Sequence, residues 1–86
     1  MLLGAAVLSW KEELDTNVAG HDLRACQANN GDIRGNPAEL LKCKKECEDD
    51  SACAALVLGR WGTMLKTTNA GAKATIGFTL LTIENR

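Results

Sequence analysis

Aromatic residues are scarce in this sequence, which has no tyrosine, one phenylalanine and two tryptophans among its 86 residues. A core formed by this chain must therefore be aliphatic. Histidine is also scarce. His21 is the only one, and no Ser/His/Asp constellation accompanies it. Acid–base and nucleophilic catalysis commonly depend on such groups, and their scarcity leaves only cysteine chemistry. The sequence therefore predicts a protein that is not an enzyme.

The sequence also lacks a basic stripe and a long apolar run. Ten basic residues nearly balance eleven acidic ones, and the net charge of -1 argues against a nucleic-acid partner. The apolar run at residues 1–8 is too short to span a bilayer, so we expect no transmembrane segment. This run has neither the basic start nor the cleavage pattern of a secretory signal, so no targeting signal is visible in the chain.

The chain length and the lack of repeats or linkers predict a single domain over residues 1–86. Residues 1–15 are ambiguous, because their apolar side chains recur at helical spacing but would equally suit a first strand. The segment begins with an unbroken apolar run, and an exposed run of that kind usually has a partner. We therefore expect residues 1–15 either to contact a partner or to form the first strand of the core.

The clearest local signal is a helix start at Asn36. Asn36 is a good N-cap, Pro37 suits the first helical position, and Glu39 stands where a capping box has its carboxylate. The spacing predicts a helix over about residues 37–48, with an apolar stripe formed by Leu40, Cys43 and Cys47 and with Leu41 beside it. The acidic cluster at the end of this helix is predicted to be a solvated helix end, and it consists of Glu46, Glu48, Asp49 and Asp50.

Short apolar runs after the helix predict two strands, at residues 54–58 and 63–67, with a turn between them at residues 59–62. Ile76, Phe78 and Leu80 alternate with small or polar residues, which predicts a half-buried third strand. The alternation of apolar residues shifts by one position after Leu81, and a bulge or bend is expected near Leu81–Ile83. The predicted fold class is α+β, with a small disulfide-stapled antiparallel sheet packed on one helix.

The four cysteines decide most of what the sequence implies about function. Cys43 and Cys47 lie four residues apart on one helical face, where parallel side chains would strain a mutual disulfide. Each of them therefore needs another partner. A second criterion is local reach, the ease with which a short segment of chain brings its two ends together. Local reach ranks the pairs Cys26–Cys43 and Cys47–Cys53 above Cys26–Cys47 and Cys43–Cys53, and we predict the first pairing.

An even number of cysteines in a small chain fits a disulfide staple, which implies an oxidising compartment, either extracellular or an organelle lumen. Zinc binding and thiol redox chemistry are the rival interpretations. The cysteine spacings differ from the Cys-x2-Cys knuckles of zinc ribbons and from the Cys-x-x-Cys motif of thioredoxin-like proteins. We therefore expect neither a metal nor a cofactor.

The helix and its cysteines resemble those of PAN/apple domains. Pro37–Cys53, with the sequence PAELLKCKKECEDDSAC, is similar to the helix of that family, which has Cys-x3-Cys, an acidic turn and a third cysteine. Thr63–Lys66 resembles the Cys-aromatic-Leu-Lys strand of the family, and Ala19–Leu23 its Gly-x-Asp-Leu segment. The likeness covers residues 10–84 and implies an antiparallel sheet that cradles one helix.

The chain departs from the family pattern at Thr63. The family has a cysteine there, which usually pairs with the first helix cysteine, here Cys43. The departure leaves Cys26 as the partner of Cys43, in agreement with the pairing that local reach favours. The resemblance implies a non-catalytic module that binds protein or carbohydrate.

The leading hypothesis for function is therefore protein–protein docking, with glycan binding as its variant. The predicted partner-binding residues are Leu2, Leu3, Val7, Trp10, Arg60 and Trp61. The first alternative is a small accessory subunit held permanently in a larger complex, such as a membrane-associated one. The second alternative is a thiol redox or zinc-binding protein.

Overall fold

A computed structural model describes residues 8–86, which form five strands and one helix. In chain order the elements are β1 (Trp10–Asn17), β2 (Asp22–Ala25), α1 (Pro37–Glu48), β3 (Ala55–Gly59), β4 (Gly62–Lys66) and β5 (Lys73–Ile83). The ambiguous N-terminal segment is a strand from Trp10 onward. Leu2, Leu3 and Val7, which the sequence analysis proposes as partner contacts, lie outside the described residues.

The strands form one antiparallel sheet in the order β1-β5-β3-β4-β2. A two-residue turn, Arg60-Trp61, joins β3 to β4, which pair in regular register from Ala55 opposite Lys66 to Gly59 opposite Gly62. β1 and β2 are neighbours in sequence yet form the two opposite edges of the sheet. The predicted α+β class is confirmed at the level of a small antiparallel sheet with one helix and two disulfides.

Helix α1 spans the predicted residues. The Asn36 side chain caps it by accepting a hydrogen bond from the Glu39 N–H at 3.3 Å. The reciprocal half of the predicted capping box is wrong. The Glu39 carboxylate instead accepts a hydrogen bond from the Asn29 side chain at 3.0 Å and pairs with Lys42 at 2.9 Å. The Asn36 N–H donates to the Ile33 carbonyl at 3.0 Å, so it needs no carboxylate.

Alternation along the central strands divides the buried side chains into two clusters, one on each face of the sheet. The face toward α1 carries the larger cluster, which contains Cys26, Ile33, Cys43, Cys47, Cys53, Leu56, Leu58, Leu65, Leu81 and Ile83. The opposite face carries a smaller cluster of Val18, Ala55, Val57 and Leu80, with Phe78 packed against it. Leu80 and Leu81 are both buried because they belong to a strand that is covered on both faces.

The irregularity of β5 lies nearer its start than predicted. At Leu81–Ile83 the strand pairs with β1 in regular register, so the prediction of a bulge there is wrong. The register shifts instead around Asp15. Leu14 pairs with Thr79 and Thr16 pairs with Ala74, so the single residue Asp15 lies opposite residues 75–78. This large bulge places Ile76 at the surface, where the residue is 91% exposed, although the alternation predicted that it would lie on the buried face of a half-buried strand.

The connection from β1 to β2 crosses the sheet face opposite α1. Within it, Val18 is fully buried in the smaller cluster. The Lys66 side chain on β4 is only 7% exposed, and it donates hydrogen bonds to the Gly20 carbonyl at 2.9 Å and to the Asp22 carboxylate. These contacts attach the crossing segment to the end of β4, the strand next to the edge strand β2.

The acidic end of α1 is less solvated than the sequence predicts. The Glu46 carboxylate accepts hydrogen bonds from the backbone N–H groups of residues 27 and 28 at 3.0 and 2.9 Å. The Glu48 carboxylate accepts one from the Trp10 indole at 2.8 Å. The prediction of a solvated end is therefore wrong for these two residues, which tie the helix to β1 and to the loop after β2. It is also wrong for Asp50, which is half-buried and pairs with Arg24 at 2.6 Å.

Two disulfides fasten α1 to its surroundings. Cys26 directly follows β2 and is bonded to Cys43, while Cys47 is bonded to Cys53 beyond the end of the helix. These are the pairs that local reach ranks first. All four cysteines are buried in the cluster between the helix and the sheet. The first disulfide therefore anchors the long loop before the helix, and the second anchors the chain after it.

Candidate functional site

The turn between β3 and β4 presents Trp61 to solvent. Its side chain is 77% exposed, and the Arg60 guanidinium carbon lies 4.4 Å from the centroid of its ring, within the range of a cation–π contact. Gly62 shapes this turn, because its φ of +149° lies in a region that favours glycine. A side chain at Gly62 would also collide with the backbone oxygen of Asn30, so the turn can lie close to the preceding loop.

The bulge of β5 lies beside this turn. The ring of half-buried Phe78 packs over Gly59, in the space that a side chain on Gly59 would occupy. The turn and the bulge enclose a cavity of about 280 Å³. We call the side chains that line it the Trp61 surface, which consists of Arg34, Arg60, Trp61, Ile76 and Phe78.

Arg34 reaches this surface from the loop between β2 and α1. Its Nη1 atom donates a hydrogen bond to the Gly77 carbonyl in the bulge at 2.9 Å. Its Nη2 atom forms an ion pair with the Asp32 carboxylate at 2.7 Å. The side-chain hydrogen bonds from Arg34 lower the pKa of the Asp32 carboxyl to about 2. Arg34 therefore bridges the loop and the bulge while Asp32 stays ionised beside it.

The loop that carries Arg34 is fastened by a disulfide at its start, by the Asn36 cap at its end and by β4 at its middle. The Thr63 N–H donates to the Asn30 carbonyl at 3.3 Å, and the Thr63 hydroxyl donates to the Gly31 carbonyl at 3.0 Å. Thr63 is itself buried. The position of Arg34 on the Trp61 surface therefore depends on bonds made in the interior of the fold.

A second cavity, of about 350 Å³, adjoins the first and shares Trp61 and Phe78 as walls. Its lining includes Val57 from the sheet face opposite α1, and the ion pair between Lys66 and Asp22. The charges of this cavity therefore neutralise each other. The Trp61 surface differs, because it has two guanidinium groups and no carboxylate among its lining residues.

Of the predicted partner-binding residues, the structure brings together Arg60 and Trp61. Trp10 lies toward the other end of the strands, opposite Ile83 on β5. It is half-buried, its indole is bonded to Glu48, and the Lys44 ammonium lies 5.7 Å from its ring. Trp10 is thus engaged by the helix and is separate from the Trp61 surface.

The sequence did not indicate that Arg34, Ile76 and Phe78 would belong to a surface site. The alternation placed Ile76 and Phe78 in a half-buried strand. Gly77 between them was the available signal, because a glycine inside a strand often marks a bulge, and its φ is +92°. Arg34 carried no signal, since only the folded loop brings it to β5.

Exposed large apolar side chains in residues 8–86 are Leu14, Leu41, Trp61 and Ile76. Single exposed apolar residues are ordinary on protein surfaces, whereas neighbouring ones mark interaction sites. Trp61 and Ile76 line the same cavity, while Leu14 and Leu41 line neither of the two described above. The Trp61 surface is therefore the candidate functional site.

The chemistry available to this site is that of apolar contact and guanidinium hydrogen bonding. None of the cysteines is free, and the described part of the chain has no group of three or more His, Cys, Asp or Glu residues suited to a metal ion. Nor does any helix of residues 8–86 have the length and apolar character needed to cross a membrane. Comparison of the chain with protein-family models, curated proteins and solved structures finds no match.

Proposed function

We propose that this chain is a non-catalytic interaction module that docks a protein partner through the Trp61 surface. The observation that carries the proposal is a pair of large apolar residues, Trp61 and Ile76, which are 77% and 91% exposed and line the same cavity. Burying such side chains contributes about 1.5–3 kcal/mol each before the cost of association. Tryptophan and arginine are also the residue types most enriched among binding hot spots.

The arrangement of elements supports a module of the PAN/apple type. A helix with Cys43 and Cys47 on its buried face stands between β2 and β3, and Leu65-Lys66 ends the strand that follows the hairpin turn. The sheet runs antiparallel throughout and holds this helix on one face. Modules of that family are non-catalytic, which agrees with a site that has apolar walls and guanidinium groups.

The two disulfides are consistent with an oxidising compartment. We place the module outside the cell or in an organelle lumen. Because the bonded cysteines are all buried, the disulfides serve as staples of the fold in this proposal, and thiol chemistry has no part in the function.

Affinity capture from an extract of the source organism tests the proposal. Immobilised wild-type protein and the variant Leu41→Ser are expected to retain the same protein, because Leu41 is exposed on the helix and lies outside the Trp61 surface. Trp61→Ser and Ile76→Ser are expected to retain much less of it. Equal retention by all of these proteins would remove the Trp61 surface from the interface.

Deletion of residues 1–7 separates this proposal from the alternative of an accessory subunit held by its N-terminal segment. The shortened protein is expected to retain the partner as well as the wild type does. If the deletion abolishes retention while Trp61→Ser leaves it unchanged, docking depends on the N-terminal segment and our proposal is wrong. Thermal melting of each variant tests whether its fold is intact.

A further inference from the structure

We infer that the partner binds through a segment in which a carboxylate stands next to large apolar side chains. This inference rests on the proposed docking function and adds the chemistry of the partner. The apolar side chains would enter the cavity that Trp61 and Ile76 line, and the carboxylate would accept hydrogen bonds from Arg60.

The charge of Arg60 is the first reason. Arg60 is exposed, and none of the ion pairs formed within residues 8–86 includes it. Its guanidinium stacks on Trp61 at 4.4 Å, which holds the group next to the cavity. Arginine presents a planar fork of N–H donors that matches a carboxylate in two parallel hydrogen bonds. Stacking leaves the edge of that fork available for such bonds.

The lining of the cavity is the second reason. It contains the guanidinium groups of Arg34 and Arg60, and no acidic side chain. Asp32 is close to Arg34 but is already bound by it, and the low pKa of Asp32 keeps that pair ionised at neutral pH. One positive charge therefore stays uncompensated beside three apolar side chains. An acidic and apolar segment complements both features.

A second copy of this chain fits the surface less well. In a two-fold dimer the same patch would face itself, so Arg60 would be brought close to Arg34 and Arg60 of the other copy. Like charges placed together at an interface oppose association. A basic partner segment meets the same objection, because its cations would face Arg60 without an acidic group to receive them.

Selection from a random peptide library displayed on phage tests this inference on the full chain. Peptides selected by the wild-type protein are expected to be enriched in Asp or Glu beside Leu, Ile, Phe or Trp. A synthetic peptide of the selected sequence is expected to bind Arg60→Gln about tenfold more weakly, the order of a lost charge-assisted hydrogen bond. Its binding to the wild type is expected to weaken as salt concentration rises.

Matched variants distinguish a failure of the proposed partner chemistry from a failure of the proposed docking function. Lys11→Gln removes an exposed cation from β1, outside the Trp61 surface, and is expected to leave peptide affinity unchanged. If the selected peptides depend on Trp61 but carry no excess of acidic residues, the partner chemistry is wrong and the docking function stands. If the selected peptides bind Trp61→Ser as well as wild type, or if none is selected, the docking proposal and this inference are both overturned.

Discussion

The backbone N–H of Cys26 donates a hydrogen bond to the carbonyl of Thr63 at 2.9 Å. This bond makes the two residues neighbours across β2 and β4, beneath the helix. Cys26 forms its disulfide with Cys43, and the Thr63 hydroxyl donates a hydrogen bond to the loop that follows Cys26.

Removing the first disulfide is expected to disturb the Trp61 surface more than removing the second. The double variant Cys26→Ser/Cys43→Ser loses a closed loop of 17 residues, worth roughly 3 kcal/mol in the chain-entropy model, and frees the loop that carries Arg34. Cys47→Ser/Cys53→Ser, the control, removes a shorter loop of 6 residues away from that surface.

Non-reducing peptide mapping should find both bonds in the wild type. Four free thiols would contradict the pairing.

Loss of the helix cap is expected to destabilise the protein by about 1 kcal/mol in Asn36→Ala, because the N–H of Glu39 loses its acceptor. Chemical denaturation measures the change, and amide hydrogen exchange at Glu39 should become faster. Glu39→Ala should leave the exchange of the Asn36 N–H unchanged, since that group is bonded to Ile33. Faster exchange of the Asn36 N–H in Glu39→Ala would show that the Glu39 carboxylate accepts a hydrogen bond from it, and the capping box would then be present.

Acid is expected to release Arg34 from its ion pair only at very low pH. The pKa of Asp32 falls from an ordinary 3.8 to about 2 in the folded protein. A group whose pKa is depressed by folding stabilises the fold above its unfolded pKa, and that contribution is lost as pH falls through the folded pKa. The stabilising effect is therefore complete above about pH 4 and is lost as pH falls toward 2.

Carbon-13 detection of the Asp32 carboxyl by NMR measures this titration, with an expected midpoint of about 2. In Arg34→Gln the midpoint should return toward 3.8, because the side-chain hydrogen bonds that lower it are lost. Unchanged titration in Arg34→Gln would mean that Arg34 is not the partner of Asp32. The position of Arg34 on the Trp61 surface would then be in error.

Substitution of Gly62 by alanine is expected to cost about 1–3 kcal/mol, the usual cost of a strained backbone position. The new side chain would meet the backbone oxygen of Asn30 as well as an unfavourable φ of +149°. Gly71→Ala is the matched control, since Gly71 also has a positive φ but no atom within 4 Å of an added side chain. Equal destabilisation in the two variants would show that the turn and the loop are not in close contact.

Local features of the fold could be predicted because the residues that determine them are close in sequence. The helix boundaries follow from Asn36, Pro37 and the spacing of the buried cysteines. The hairpin follows from two apolar runs with glycines between them. The disulfide pairs follow from the reach of a short chain segment on either side of the helix.

Features that depend on distant segments could not be predicted in this way. Glu46 and Glu48 look like surface residues until the strands bring backbone N–H groups and the Trp10 indole to them. Gly77 is a local signal for a bulge in β5, but the extent of that bulge depends on Asp15, 62 residues earlier, which has a positive φ and accepts a hydrogen bond from the Gly77 N–H. The candidate site combines three segments for the same reason, and the sequence indicated only its turn.

The central claim, that Trp61 is the contact residue for a partner, is tested most directly by the two tryptophan indole N–H signals in a proton–nitrogen NMR spectrum. The chain has only two tryptophans, so each spectrum contains its own control. Adding the peptide selected by the wild-type protein is expected to shift or broaden the Trp61 signal. The Trp10 signal should stay in place, because its indole is bonded to Glu48 at the other end of the sheet. A peptide that binds while the Trp61 signal remains unchanged would contradict the account.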